Sequence, residues 1–462
     1  MTERRDALSI GSGQAGKPLA GALARAGWKT AIIEKGRVGG TCLITGCTPT
    51  KSMVASARVA HLTRRAGEYG VNVGETRVDM AAVRHRKREM VDSFSEGAER
   101  GLRRHDGLEL IFGEARFVGS RELEVRLKDG GTRRLTAGKI FINAGARPSV
   151  PPIPGLDAVA HLDSTSIMEL GDVPDHLIVL GGGFIGLEFA QMFRRFGADV
   201  SILERAPHIA GREDEDVAAA ITRIIRDDGI AIHTSAEVVR ADSADGGGVA
   251  AHFSIAGREY TLRGSHLLVA AGRTSNTDTL DLGAGGIEVD ERGYIRVDDR
   301  LETCVPGVYA LGDIAGSAPF THVAYDDYRV VRANLLEGGC RTTRDRTTPY
   351  TVFIDPQLGR IGLSEREARE QGRDVRVAKL PMTRVSRAIE MGETRGFIKA
   401  LVDAETDRIL GAAVLGVEGG EVMSVLQVAM MGDLPYTAIR DGIFAHPTLA
   451  ESLNNLFMSV DA

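Results

Sequence analysis

The chain has 462 residues, 43% hydrophobic and 26% charged, with 56 glycines, four cysteines and a net charge of −6. Such a length implies two to four domains rather than one core, and the mild acidity argues against nucleic acid as the main partner. No apolar run approaches the ~18–20 residues needed to cross a bilayer. The N-terminus enters a strand and a glycine turn almost at once and leaves no room for a signal peptide, so a cytoplasmic protein is expected.

In chain order, residues 7–10 read as a strand, 11–16 as a glycine turn, 17–27 as a helix and Thr30–Glu34 as a second strand. The basic run RHRKR at 84–88 lies in a polar helical stretch and is read as a solvated helix face. Alternating polar and apolar residues over 108–127 predict a small antiparallel excursion. The proline-rich RPSVPPIPG at 147–155 disfavours helix and reads as a crossing between domains. A second strand–turn–helix–strand unit follows: His176–Leu180, the turn 181–186, a helix over 187–197 and a strand over 199–204. From residue 350 the pattern changes. TVFIDP, GFIKALVD and ILGAAVLG predict strands and 422–431 and 448–458 predict helices, a third domain of α+β type.

Each of the two βαβ openings carries a dinucleotide fingerprint. Gly11, Gly13 and Gly16 follow a strand and open a helix, and Glu34 ends the next strand. The glycines allow a tight turn and close approach to a pyrophosphate, and the acid can accept ribose hydroxyls. Gly181, Gly183 and Gly186 repeat the pattern with Glu204, whose carboxylate favours a free 2′-hydroxyl and hence NADH over NADPH. Arg205 and Arg212 lie close enough in sequence to accommodate a phosphate. Two dinucleotides on one chain imply a relay from nicotinamide to a second, tightly held cofactor. The strand that ends in Gly312-Asp313, where an aspartate can bond a ribityl chain, makes that cofactor FAD.

The stretch GGTCLITGCTPTK at 39–51 begins five residues after Glu34, which brings the sulfurs of Cys42 and Cys47 towards the flavin. A close cysteine pair in a reducing compartment is catalytic or metal-binding more often than structural. The Cys-x4-Cys spacing is too wide for the usual zinc knuckle, and no second Cys/His pair lies nearby, so no metal site is expected. Cys304 and Cys340 match no motif and are read as structural, Cys304 packed in the strand before Gly312-Asp313 and Cys340 in a glycine-flanked turn.

These motifs, together with INAGARP (142–148), GGGFIGLE (181–188), AAGRTSN (270–276), YALGD (309–313) and HPTLAE (446–451), run in an order that resembles the class I pyridine nucleotide–disulfide oxidoreductases along essentially the whole chain. Dihydrolipoamide dehydrogenase, glutathione reductase and mercuric reductase belong to that group. The resemblance implies two Rossmann-like dinucleotide-binding domains, for FAD and NAD, plus a C-terminal α+β dimerisation domain. The corresponding segments are 1–150 and 273–345 for FAD, 151–272 for NAD(P) and 346–462 for dimerisation. It also implies that Cys42 is the interchange thiol and Cys47 the charge-transfer thiolate against the flavin. Lys51 and Glu188 would form an ion pair near flavin N5. His446, held by Glu451, would be the acid–base partner of Cys42, supplied by the other subunit of a homodimer. Further cofactor contacts are implied at Gly40, Thr41, Lys51, Ala115, Ala144, Gly145, Gly272, Gly312 and Asp313.

Within the family, the chain has no cysteine after Cys340, so the C-terminal pair of standard mercuric reductases and large thioredoxin reductases is missing. Phe444 replaces the first histidine of the lipoamide-dehydrogenase His-x-His-Pro-Thr pattern, and GSGQAGKPL (11–19) and TPTK (48–51) also depart from that enzyme. Longer stretches at 139–155, 326–338, 393–403 and 434–457 are more similar to the reactive-chlorine-resistance flavoproteins of the RclA type. The expected activity is therefore NAD(P)H-dependent reduction of a small disulfide or a sulfur oxidant such as hypothiocyanous acid. The alternatives are reduction of Hg(II) or Cu(II), and a lipoamide-dehydrogenase-like subunit of a multienzyme complex.

Overall fold

The computed structural model describes residues 2–244 and 247–460, and the chain forms two compact units. The first comprises Met1–Met53, Ala81–Ser149 and Gly272–Arg346; the second comprises Val54–Met80, Val150–Ala271 and Thr347–Ala462.

In the first unit β1 (Thr2–Ile10) pairs in parallel with β2 (Thr30–Glu34) on one side and β5 (Thr132–Ile142) on the other. All five residues of β2 and the last four of β1 are buried. A strand covered on both faces reads as a continuous apolar run, which is why these strands were legible. β3 (Leu108–Gly119) runs parallel to β2 over Leu108–Phe112, then leaves it and pairs antiparallel with β4 (Glu122–Leu127), which pairs antiparallel with the start of β5. The antiparallel excursion expected at 108–127 is thus an extension of the parallel layer. β6 (Ala146–Pro148) pairs with β14 (Arg273–Ser275), and β15 (Val308–Ala310) closes the sheet beside β5. The helices are α1 (Gly16–Arg25), α2 (Gly40–Ile44), the first part of α3 (Cys47–Arg64), α4 (Met80–Arg103) and α7 (Thr321–Leu336).

Two expectations need correction here. Lys87 of the basic run is 3% exposed, so the RHRKR segment is not uniformly solvated; its neighbour Arg86 donates to the Ser52 carbonyl at 2.8 Å. Cys304 lies in the turn before β15, exposed, and donates to the Gly286 carbonyl at 3.3 Å; Cys340, beyond α7, is exposed too. Neither packs in a core. The error at Cys304 arose from extending a three-residue strand back past a turn.

In the second unit β13 (His266–Val269), β7 (His176–Leu180), β8 (Asp199–Leu203) and β9 (Ala231–His233) form a parallel sheet in that order, with α5 (Phe184–Phe196) and α6 (Glu215–Asp227) as connections. β10 (Glu237–Ser243), β11 (Val249–Ile255) and β12 (Arg258–Gly264) add an antiparallel meander for which the sequence reading had no expectation. The C-terminal part is an antiparallel sheet of β16 (Tyr350–Val352), β17 (Gln357–Gly362), β20 (Ile409–Gly416), β19 (Phe397–Asp403) and β18 (Val375–Pro381), in that order. Five helices accompany it: α8 (Glu365–Glu370), α9 (Ser386–Glu390), α10 (Gly419–Met431), α11 (Tyr436–Arg440) and α12 (Ser452–Met458). α12 starts later than expected because the Thr448 hydroxyl, bonded to the Ala445 carbonyl, also takes the Glu451 N–H and makes a turn there. Among the described residues no helix is long and apolar enough to cross a membrane.

Candidate redox and dinucleotide sites

Each unit carries one glycine loop, and both loops are built alike. In the first, Gly11 has φ +94°, and a side chain there would meet the Asn143 carbonyl oxygen at 2.4 Å, so only glycine fits. Asn143 fastens the loop from the opposite strand: its Oδ1 accepts the Gly16 N–H at 3.0 Å and its Nδ2 donates to the Leu311 carbonyl at 2.7 Å. Glu34 accepts the Ser12 N–H (3.0 Å) and hydroxyl (2.7 Å) on one oxygen and the Gly36 N–H (2.8 Å) on the other. A carboxylate has about four lone-pair sites, so acceptor capacity remains for a ribose. No side chain caps α1, and its N-terminus is left to meet an anion. These features fit a dinucleotide pyrophosphate.

The cysteine stretch is seated on this loop. Ser12 Oγ accepts the Gly39 N–H at 3.0 Å, and Gln14 Nε2 donates to the Gly39 carbonyl at 3.2 Å. Gly40 lies against Gly13, where a side chain would meet the Gly13 Cα at 2.7 Å. Thr41 and Cys42 follow in α2, and Cys47 begins α3, with Lys51 one turn further on. Cys42 and Cys47 are free thiols hydrogen-bonded to each other. Thr321, the first residue of α7, sits 3.3 Å from the Cys47 sulfur and also bonds that of Cys42. The hydrogen bond that the Cys42 thiol donates to Cys47 and, next, burial push Cys42 well above its ordinary range, while Thr321 and the Lys17 ammonium act in the opposite direction. Cys47 stands at the N-terminus of α3.

Beyond these, Gly312 (φ +74°) and Asp313 follow β15. Burial pushes the Asp313 carboxyl upward, opposed by Arg273, whose Nε is 3.9 Å away. The Gly312 N–H is held at 2.7 Å by Asp327, a carboxylate with no exposed surface that also faces Arg346 at 2.8 Å and the Ser317 hydroxyl at 3.1 Å. Ala144 and Gly145 give their carbonyls to Asn276, at 2.8 and 3.1 Å. Ala115 is in β3 with its methyl group in the sheet core, which leaves its backbone to offer a ligand. The Gly272 carbonyl accepts the Ser149 N–H at 3.0 Å.

In the second unit Glu204 repeats the role of Glu34, accepting the N–H of Gly182 at 2.6 Å and of Ala206 at 2.7 Å. Gly186 packs so closely that a side chain would meet the Gly181 carbonyl oxygen at 2.0 Å, whereas the space around Gly183 is open. No side chain caps α5 either. Arg205 and Arg212 are exposed. Glu188, 7% exposed on α5, accepts the Phe353 N–H at 2.9 Å. His446 bonds Glu451 through Nδ1, at 2.9 and 3.0 Å, with its side chain 72% exposed. The structure thus groups Gly11–Gly16, Glu34, the cysteines and Gly312-Asp313 in one unit, and the second loop, Glu188 and the His446–Glu451 pair in the other. Asp214, Asp216 and Glu365 form an acidic trio in the second unit, but the buried Lys399 ammonium already bonds all three.

Sequence reasoning missed Ser12, Asn143, Thr321 and Asp327. Asn143 stood inside INAGARP, and a polar residue at the end of an apolar strand was a usable signal. Asp327 gave none, because nothing in DDYRVV tells which of its two acids is buried.

The family description "Pyridine nucleotide-disulphide oxidoreductase" matches residues 6–327, and its dimerisation domain matches 348–457. The chain is 40% identical to the probable pyridine nucleotide-disulfide oxidoreductase RclA of Escherichia coli (strain K12), over 98% of this chain and 99% of that one. It is 34% identical to a mercuric reductase of Streptomyces lividans, over 97% and 94%. A solved Cu(II) complex of the HOCl-induced flavoprotein disulfide reductase RclA from Escherichia coli superposes with a TM-score of 0.91 at 40% identity, covering 99% of each chain. The chain therefore belongs to the pyridine nucleotide-disulphide oxidoreductase family, whose flavin-dependent members use FAD and NAD(P)H.

Proposed function

We propose that Cys42 and Cys47 are the redox pair of this flavoenzyme and that its acceptor is a small disulfide or a sulfur oxidant of the hypothiocyanous acid type. The observation that carries the reading is the pair itself: two free thiols hydrogen-bonded to each other and to Thr321, on a stretch fastened to the first glycine loop. Segments 1–150 and 273–345 hold FAD, 151–272 binds NAD(P)H and 346–462 makes a homodimer. Exposed Val428, Met431 and Ile443 support that last assignment, as apolar surface awaiting cover. The protein acts in the cytoplasm.

Gly11, Gly13, Gly16, Glu34 and Asp313 would hold the flavin, with Gly40, Thr41, Lys51, Ala115, Ala144, Gly145 and Gly312 around it. Gly181, Gly183, Gly186, Glu204 and Gly272 would hold the nicotinamide dinucleotide. When bound, FAD supplies a two-electron carrier between nicotinamide and cysteines. Lys51 and Glu188 would assist hydride transfer to it. The chain's own chemistry then follows thiol–disulfide exchange. Cys42 thiolate attacks the sulfur of R–S–X, the S–X bond breaks, and X leaves with the electron pair and takes one proton. Cys47 next attacks the Cys42 sulfur, releasing RSH and forming the Cys42–Cys47 disulfide. The dithiol loses two electrons and two protons, and the acceptor gains both. His446 of a second copy, its tautomer set by Glu451, removes the Cys42 proton and returns it to the leaving group.

Anaerobic oxidation of NADH and NADPH tests this with lipoamide, glutathione disulfide, hypothiocyanous acid, Cu(II) and Hg(II) as acceptors. A sulfur compound is expected to turn over far above background, and turnover with a metal ion alone would replace the reading with metal reduction. That second reading has its own support in the soft thiolate pair and in the copper complex and mercuric reductase among the relatives. Glu204 sets the nicotinamide preference. Glu204→Ala is expected to raise KM for NADH roughly tenfold or more, the worth of a hydrogen bond to a charged group. Its kcat should change little and its discrimination against NADPH should narrow. Unchanged KM values for both nucleotides would rule that role out.

A further inference from the structure

We propose that Lys17 is a positioning residue for the thiol step, its ammonium stabilising the Cys42 thiolate that attacks the acceptor. The inference rests on the reading of Cys42 as nucleophile. Lys17 is the second residue of α1, immediately after the glycine loop, where GSGQAGKPL departs from the lipoamide-dehydrogenase pattern. The bonds from Gly39 to Ser12 and Gln14, and the seating of Gly40 on Gly13, bring the cysteine stretch against the end of the loop from which Lys17 emerges.

A cation in the first turn of a helix opposes the helix dipole, and α1 has no acidic residue in that turn to offset it. Among the described residues Lys17 makes no ion pair with a carboxylate. Burial lowers its basicity, and its ionic neighbour is the Cys42 sulfur. The titratable groups facing Cys42 are Cys47 from α3 and Lys17 from α1, and they act in opposite directions. Once Cys47 is charged, forming a second thiolate 42 places two anions side by side, and a nearby ammonium offsets that repulsion. The same charge stabilises an anionic leaving group at the attacked sulfur. The substrate class favoured is therefore an acceptor that releases an anion.

The test is site-resolved alkylation by iodoacetamide across a pH series, on reduced, flavin-loaded wild type, Lys17→Gln and Lys17→Arg. Peptide mass spectrometry follows Cys42, and exposed Cys304 serves as reference in the same sample. Loss of an opposite charge at this range is expected to move the Cys42 midpoint up by about one pH unit or more. At neutral pH the Cys42 rate in Lys17→Gln then falls about tenfold, and Lys17→Arg recovers most of it. Flavin content and the rate of flavin reduction by NADH are expected to stay at wild-type values. Superimposed Cys42 profiles in wild type and Lys17→Gln, with Cys42 still faster than Cys304, overturn the assignment of Lys17 and leave the role of Cys42 standing. Loss of flavin from Lys17→Gln also overturns it, since the lysine then serves the cofactor's phosphates. Wild-type Cys42 no faster than Cys304 overturns the reading of the cysteine pair as well.

Discussion

Cys42→Ser is expected to lower acceptor-dependent turnover at least about a thousandfold, because Cys47, the other thiol on the stretch, cannot complete a two-thiol exchange alone. Flavin should stay bound. The first glycine loop is held by Ser12, Glu34 and Asn143 through bonds that do not involve the Cys42 sulfur. Cys47→Ser is expected to be equally inactive in steady state but different in kind. With Cys42 intact and no thiol to resolve it, the first half of the exchange proceeds and stops. One equivalent of a disulfide acceptor should then remain attached to Cys42, visible as added mass, whereas Cys42→Ser should trap none. Retention of substantial turnover by Cys42→Ser, or trapping on the wrong cysteine, would end the proposed mechanism.

Asp327→Ala should cost the first unit about 3–5 kcal/mol, the usual consequence of removing one partner of a buried ion pair. The carboxylate has no exposed surface, and its loss leaves Arg346 to Asp326, 3.0 Å away, while freeing the Gly312 N–H and the Ser317 hydroxyl. Gly312 holds its turn at φ +74° next to Asp313, so the proposed flavin site should loosen together with the fold. The measurements are the thermal midpoint with and without added FAD, and the flavin content after gel filtration. Asp327→Asn separates the two contributions. It keeps an acceptor for Gly312 but not the charge facing Arg346, and should retain more flavin than Asp327→Ala. Equal stability of all three proteins would show that Arg346 and Gly312 find other partners.

What the sequence determined by itself was the repeating architecture and the chemistry. Strands covered on both faces must be apolar throughout, and a chain that turns tightly against a phosphate must be glycine there. Hence Thr30–Glu34 and His176–Leu180 matched their predicted bounds, and each glycine turn falls between a strand and a helix. Those requirements act over a few neighbouring residues and leave a local pattern.

Only the tertiary structure decided which distant polar side chains hold these pieces. Thr321 is 274 positions from the cysteine it bonds, and Asn143 is 127 positions from the loop amide it secures. Asp327 and Asp326 are adjacent acids, of which one has no exposed surface. Lys87 is buried inside a run of cations, and Cys304 is exposed in a stretch that looked like core. The cause is common to all of them. Burial of a polar group is tolerated only where a partner satisfies it, and whether a partner arrives depends on how separate strands and helices are brought together, information that no short window of sequence contains.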